Sequence, residues 1–440
     1  MTSLRRLGLI AAATLFLGGC QTFLPYSDDE RRMPTVVEVE DGSPERLALN
    51  TRVYDSAVDW VSRRFYKRDF GGVDWPGETA ARRDEALAQP TERGFYRALN
   101  ETLDLLGDRH TNAVTPTRHA EMVRGRREPT INLGFGMRLI DDQLIVTSIR
   151  GGGPADLAGV QRGWVVESLN GEPATRESRM NREREDQLVV FVDSQDVRHE
   201  LAIRQGPLPP YVGRAIRRPD GVLILSFDYF GEATRRWFDE QMDLAVADPP
   251  KGIVLDFRDN RGGLITDVGR ALGHFYTERQ PYAYVEYGFL PRFPIRAKPA
   301  RRPWTGPVAV VIGDASASGA EVFAATFQET GRGLVFGATS MGAVVASRQL
   351  NLPDGGELSI GVRSFRSGAG RTLEGVGVVP DHEVHFRADE LRRGHDAMIE
   401  AAVEAVLQNP SPLAGEGGSR RLTDEGYEDA DEMRRADAYR

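Results

Sequence analysis

The sequence predicts an α/β protein: an N-terminal helical region, an inserted β-rich domain and a largely parallel α/β core. Three observations carry this expectation. Before residue 107 apolar residues recur at three-to-four spacing, as in LALNTRVYDSAVDWVSRRFY and PTERGFYRALNETLDLLG. Residues 129–206 then change to short β-type runs broken by glycine clusters. From 221 to 388, strand-like and helix-like stretches alternate, the pattern of a parallel sheet flanked by helices. A chain of 440 residues is long enough for more than one domain, and 28% charged against 40% hydrophobic residues excludes a disordered chain. The net charge of −9 argues against a nucleic-acid partner.

The first residues, MTSLRRLGLIAAATLFLGGC, join a basic head (Arg5, Arg6) to an apolar run from Leu7 to Leu17. That run is too short to cross a bilayer and reads as a signal peptide over 1–19. The ending LGGC resembles the bacterial lipobox, which implies cleavage before Cys20 and lipidation of its thiol. Gln21 follows in place of an aspartate, which in Gram-negative bacteria implies the periplasmic face of the outer membrane. Cys20 is the only cysteine, so its acylation leaves none for a disulfide. Residues 20–44 are polar and contain Pro25 and Pro34, a tether between anchor and body.

Residues 45–128 form the helical region, whose Trp60, Phe65, Tyr66, Phe95 and Tyr96 read as packing residues. In 129–207, GFGM, LIVTSI and GGPADLAGVQRGWVVESLNG together resemble a PDZ domain. The resemblance implies that Leu133, Gly134, Phe135 and Gly136 form a carboxylate-binding loop, with a peptide C-terminus added as a strand. The core, 208–390, places VLILSF, GIVLDF, PVAVVI, GLVFG and SIGVRSF as strands and 232–247, 264–277 and 319–330 as helices. A C-terminal helix and a charged tail complete the chain over 391–440.

Three stretches fall at strand ends, where α/β proteins keep their sites: DFRDNRGG, DASASGAE and GATSMGAVV. With the inserted domain, this layout resembles the superfamily of tail-specific (C-terminal processing) and tricorn-type serine proteases over roughly residues 50–390. DFRDNRGGL resembles the D-x-R-x-N-x-G-G-L motif, with Arg261 where a proline is usual. The resemblance implies backbone donors at Gly262 or Gly263, joined by Gly319, for an oxyanion hole. In the register S-A-S-A-S-E the nucleophile is Ser318, Glu321 supports it as an anchor, and Ser316 is a neighbour. Ser318 would open a helix whose unpaired N–H groups favour a developing negative charge. DASASGAE is not a G-x-S-x-G elbow, which argues against an α/β-hydrolase.

The tail-specific branch takes its base from a lysine 25 positions on, where this chain has Ala343; its supporting position is Ser347, and no lysine follows residue 300. A serine with no base is a poor nucleophile at neutral pH. LLGDRHTNAV and LEGVGVVPD instead resemble the D-x-H-T and E-G-x-G-V-x-P-D motifs of the tricorn-type branch. They imply His110 as proton acceptor and Glu374 as its partner. Imidazole suits the first role because it ordinarily exchanges a proton near neutral pH. Glu329 reads as structural, and His382 and His385 form no metal pattern, so neither metal nor other cofactor is expected. The expected activity is that of a lipid-anchored periplasmic serine endopeptidase cleaving polypeptides, its PDZ domain capturing or gating their C-termini. The rival reading of the missing lysine is a catalytically inactive PDZ adaptor binding envelope proteins. The sequence leaves open an adaptor protein or a homo-oligomer as partners.

Overall fold

The computed structural model describes residues 33–127, 131–176, 178, 184–209, 211–287 and 290–408. The signal peptide, Cys20 and the charged tail lie outside the described residues. Three N-terminal helices, α1 (Pro44–Arg64), α2 (Trp75–Leu87) and α3 (Glu92–Leu103), are each opened by a side-chain cap: Ser43, Asp74 and Thr91. Their apolar faces share one buried cluster that includes Leu49, Val53, Tyr54, Trp75, Phe95 and Leu99. The aromatics expected to pack do so there, with Trp60 and Tyr66 at its margin.

Residues 131–207 carry an antiparallel sheet, its main path running in order through Phe135–Ile140, Gln143–Ile149, Val165–Leu169, Asp186–Val192 and Arg198–Arg204. It encloses its own core around Val146, Val166, Val189 and Phe191. Gly134 takes φ +78 in the candidate carboxylate loop, a conformation glycine adopts without strain. Within that loop the Gly134 N–H already donates to Asn132 Oδ1 at 2.7 Å, and the carbonyl of the buried Leu133 accepts from Ala155 N–H at 2.8 Å. Phe135 and Gly136 enter the first strand, paired with Ile149 and Ser148.

The core sheet runs β1 (Arg214–Arg217), β2 (Val222–Ser226), β3 (Gly252–Asp256), β4 (Val308–Ile312), β5 (Val335–Gly337) and β6 (His382–Glu383). Only β1 is antiparallel; the other five strands are parallel. Between them lie α4 (Glu232–Ala247), α5 (Ile265–Gly273) and α6 (Gly319–Thr330), and α7 (Ala397–Gln408) covers the other face. The expected helix over 264–277 therefore stops at Gly273, and α6 ends where Gly331 takes a left-handed φ of +64. Phe227, Phe257, Phe275, Phe323 and Phe327 interlock between sheet and helices, with Phe323 and Phe327 4.8 Å apart.

SIGVRSF departs from the expectation. It belongs to a long strand, Glu357–Ser367, that lies in a separate antiparallel sheet and not in the parallel one. That strand pairs with Asn112–Val114, with Ala346–Asn351 and with the hairpin Gln280–Tyr287/Leu290–Ala297. Its alternation of apolar and polar residues fits either sheet, and only tertiary pairing decides between them.

The small β domain is fastened to the core at the segment after β6. Ile140 and Ile145 pack on Ala388 and Leu391, and Ala388 N–H donates to Asp141 Oδ2 at 2.9 Å. Asp396 is the common joint: it accepts from Arg162 of the small domain at 2.6 Å and from the buried Arg258 of the core at 2.9 Å. Burial alone would raise the Asp396 carboxyl, but Arg258 and Arg162 hold it below the ordinary carboxylate range. Removing one member of a buried ion pair leaves an uncompensated charge. Asp396→Ala is therefore expected to lower unfolding free energy by about 3 kcal/mol in urea titrations, with Arg258 left to Asp256 alone.

Candidate active site

The loops that follow β2, β3 and β4 meet at one end of the core sheet, the end at which parallel sheets bind ligands. Of the two serines after β4, Ser316 is buried and fully engaged. Its Oγ donates to Phe257 O at 2.7 Å and accepts from Gly313 N–H at 2.9 Å. Ser318 is only half-buried and lines a cavity of about 250 Å³ whose walls include Tyr229, Leu264, Ile265, Val322, Val344 and Phe365. It sits at φ +53, ψ −114 as the residue before α6. That conformation is strained for a side chain bearing a Cβ, by about 1–3 kcal/mol, and persists only where its surroundings over-determine it.

Glu321, one turn into α6, supplies that constraint. Its Oε2 accepts from Ser318 N–H and Ala343 N–H, both at 2.8 Å; its Oε1 accepts from Ser340 Oγ and Gly342 N–H, both at 2.6 Å. Burial pushes the Glu321 carboxyl up, and these four donors oppose the shift. The segment 340–343, which follows β5, is thereby tied to the serine turn, and Ala343, at the position of the absent lysine, shares Glu321 Oε2 with Ser318.

Gly262 packs directly beneath the serine. A Cβ there would lie 2.5 Å from Ser318 Cβ and 2.6 Å from Gly319 N, so residue 262 has to be glycine. The expectation that either glycine of the pair could face an oxyanion is narrowed: Gly262 N–H is spent on Asn260 Oδ1 at 2.8 Å. The Gly263 and Gly319 N–H groups have no acceptor among the described residues. Asn260 itself is buried and donates to Phe227 O at 3.0 Å, which fixes the orientation of its amide. The motif contained this asparagine, but residue type alone gave no sign that it would consume one of the glycine donors.

His110 and Glu374, 264 positions apart, are brought together. The strand Glu357–Ser367 pairs Ser359 with both Asn112 and Gln349, placing the ends of the His110 and 340–345 segments side by side. His110 Nε2 lies 3.3 Å from Glu374 Oε1, leaving Nδ1 as the nitrogen that can accept a proton. Glu374 Oε2 accepts from Val344 N–H at 2.7 Å and Val345 N–H at 3.1 Å. Burial alone would raise the Glu374 carboxyl; the bonds from His110, Val344 and Val345 outweigh it and hold the group below its ordinary value. Val344 connects the two halves of the site, because it lines the Ser318 cavity while its N–H binds Glu374. Among the described residues no hydrogen bond joins His110 to Ser318. Glu329, read as structural, pairs with Arg371 at 2.8 Å.

Arg109 was not singled out by the sequence. It donates to Gly342 O at 3.0 Å, and its only signal was adjacency to His110.

The comparisons with known proteins give the class to which this sheet, turn and cavity belong: the chain is a serine-type peptidase. Residues 221–384 match the model of peptidase family S41. Carboxyl-terminal-processing peptidase 2, chloroplastic, of Arabidopsis thaliana is 24% identical over 361 residues, covering 75% of this chain and 68% of that one. The carboxyl-terminal-processing protease of Picosynechococcus sp. is 21% identical over 363 residues, covering 78% and 86%. A solved structure of the photosystem II D1 C-terminal processing protease shares the fold, with a TM-score of 0.55 at 19% identity over 83% of this chain and 98% of that one.

The Glu374 bonds carry a pH dependence. A carboxyl held below its ordinary value stabilises the fold above about pH 4.5, and that contribution is lost as pH falls through the folded value. Wild type should therefore lose more stability than Glu374→Gln between pH 7 and pH 4, measured by urea unfolding at each pH.

Proposed function

We propose that Ser318, His110 and Glu374 form the catalytic group of a peptidase that cleaves polypeptides near their C-termini. Val344 carries this reading, since it binds the partner of His110 and walls the cavity of the serine. Ser318 Oγ attacks the scissile carbonyl as its proton passes to His110 Nδ1. The resulting imidazolium donates through Nε2 to Glu374, and Gly263 and Gly319 N–H groups receive the oxyanion. Collapse of the tetrahedral intermediate breaks the C–N bond, the leaving amine takes the proton from His110, and water then hydrolyses the acyl-enzyme by the same route. The His110–Ser318 hydrogen bond forms when substrate fills the cavity, as catalytic hydrogen bonds commonly tighten only in the complex.

The domain at 129–207 acts in this reading as a PDZ domain that captures or gates polypeptide C-termini. Among the described residues its first strand, Phe135–Ile140, pairs within its sheet only with Gln143–Ile149, leaving an edge for an added strand. With Gly134 N–H spent on Asn132, the carboxylate would be received by the donors beyond it. In the same reading the mature protein is held by a lipid at Cys20, at the periplasmic face of the outer membrane; LGGC supports the lipid and Gln21 the outer membrane.

A fluorophosphonate probe should label the wild-type protein at Ser318 and not label Ser318→Ala. His110→Ala should slow labelling and casein cleavage by on the order of 10⁴-fold. Wild-type protein that neither labels nor cleaves would overturn the assignment. The anchor is tested separately: Cys20→Ala should lose incorporation of labelled palmitate and leave the membrane fraction.

A further inference from the structure

Two consecutive residues grip the link between Glu374 and the 340–345 loop. His110 faces Glu374 Oε1 at 3.3 Å. Arg109 Nη2 donates to Gly342 O at 3.0 Å and stands 3.9 Å from the same Glu374 oxygen. Gly342 O also accepts Gly375 N–H at 2.8 Å, so the guanidinium closes a junction that already joins the loop to the Glu374 segment. The Arg109 side chain is 62% exposed, which marks it as dispensable for the core.

We propose that Arg109 is a positioning residue that shares Glu374 Oε1 with His110, and so sets the pH range in which His110 can take the serine proton. The inference rests on the Ser318–His110–Glu374 reading above. A carboxylate beside two cations holds each less tightly than it would hold one. With Arg109 present, Glu374 stays partnered while His110 is neutral, and formation of the imidazolium is restrained. Without it, Glu374 attracts the imidazolium alone, and the acid limb of the activity moves to higher pH.

The other groups facing this pair do not replace Arg109. Asp108 accepts His110 N–H at 3.3 Å and is also bound by Thr111 Oγ at 2.5 Å. The Tyr66 phenol is pushed far up by burial, then by Asp108, Glu374 and Glu286, so it stays neutral. Val344 and Val345 present only their N–H groups to Glu374.

The test is the pH profile of kcat/KM on a labelled unfolded casein for wild type, Arg109→Met, Arg109→Gln and Arg109→Lys. Arg109→Met and Arg109→Gln should move the acid limb up by about half a pH unit, and salt near 1 M should shrink that displacement. Arg109→Lys, which keeps the charge, should leave the limb in place while lowering kcat through the lost bond to Gly342 O. A purely structural role would lower kcat in all three variants without moving the limb. Acid limbs of Arg109→Met and Arg109→Gln that coincide with wild type overturn the inference, as does Arg109→Lys moving as far as Arg109→Met. Ser318→Ala, measured alongside, separates the two failures: activity surviving in that variant overturns the catalytic assignment itself, whereas coincident limbs with an inactive Ser318→Ala overturn only the role of Arg109.

Discussion

Four hydrogen bonds to one buried carboxylate hold this site together. Glu321 collects Ser318 N–H, Ala343 N–H, Gly342 N–H and Ser340 Oγ from two separate stretches of chain. A carboxylate buried without donors would be expensive, and with four it becomes a clasp. The strain at Ser318 is tolerable because this clasp, Gly262 packed beneath and the start of α6 leave the turn no relaxed alternative. The cavity depends on the same clasp, since Val344 is its wall and follows Ala343 directly.

The 340–345 loop is consequently suspended between two glutamates. Glu321 takes its first half and Glu374 its second, and Ala343 lies at the change of hands. In the branch that uses lysine, position 343 would carry the base into the cavity from this loop. Here the loop contributes N–H groups instead, and the base we propose, His110, stands at the edge of the second sheet. The two solutions use the same scaffold, with the loop serving as a lever in one and as a bracket in the other.

Much of this could be read in the amino-acid sequence, for identifiable reasons. The strand-helix alternation of the core survives because β2, β3 and β4 are continuous apolar runs, as strands buried on both faces must be. Motif register singled out Ser318 over Ser316; the structure adds that the Ser316 hydroxyl donates to Phe257 O and accepts from Gly313 N–H. The membership of SIGVRSF in a second sheet was not legible, nor was the pairing of Gln280–Tyr287 with Leu290–Ala297, because pairing partners are a tertiary property. The exclusion of Gly262 as an oxyanion donor was equally hidden. It follows from where the Asn260 side chain points, and residue identity leaves that open. Arg109 was overlooked because an arginine in a surface loop is usually a solvated charge.

The distance in sequence between His110 and Glu374 has a consequence in time. A chain emerging from its N-terminus carries the histidine early, then the whole small β domain and most of the core, before the glutamate is made. The strand that aligns the histidine segment, Glu357–Ser367, also arrives late. Until then Glu374 is missing from the side of His110, and the strand that aligns the His110 segment is unmade. The pairing of His110 with Glu374 therefore waits for the last fifth of the polypeptide, and a copy truncated before it cannot form that pair.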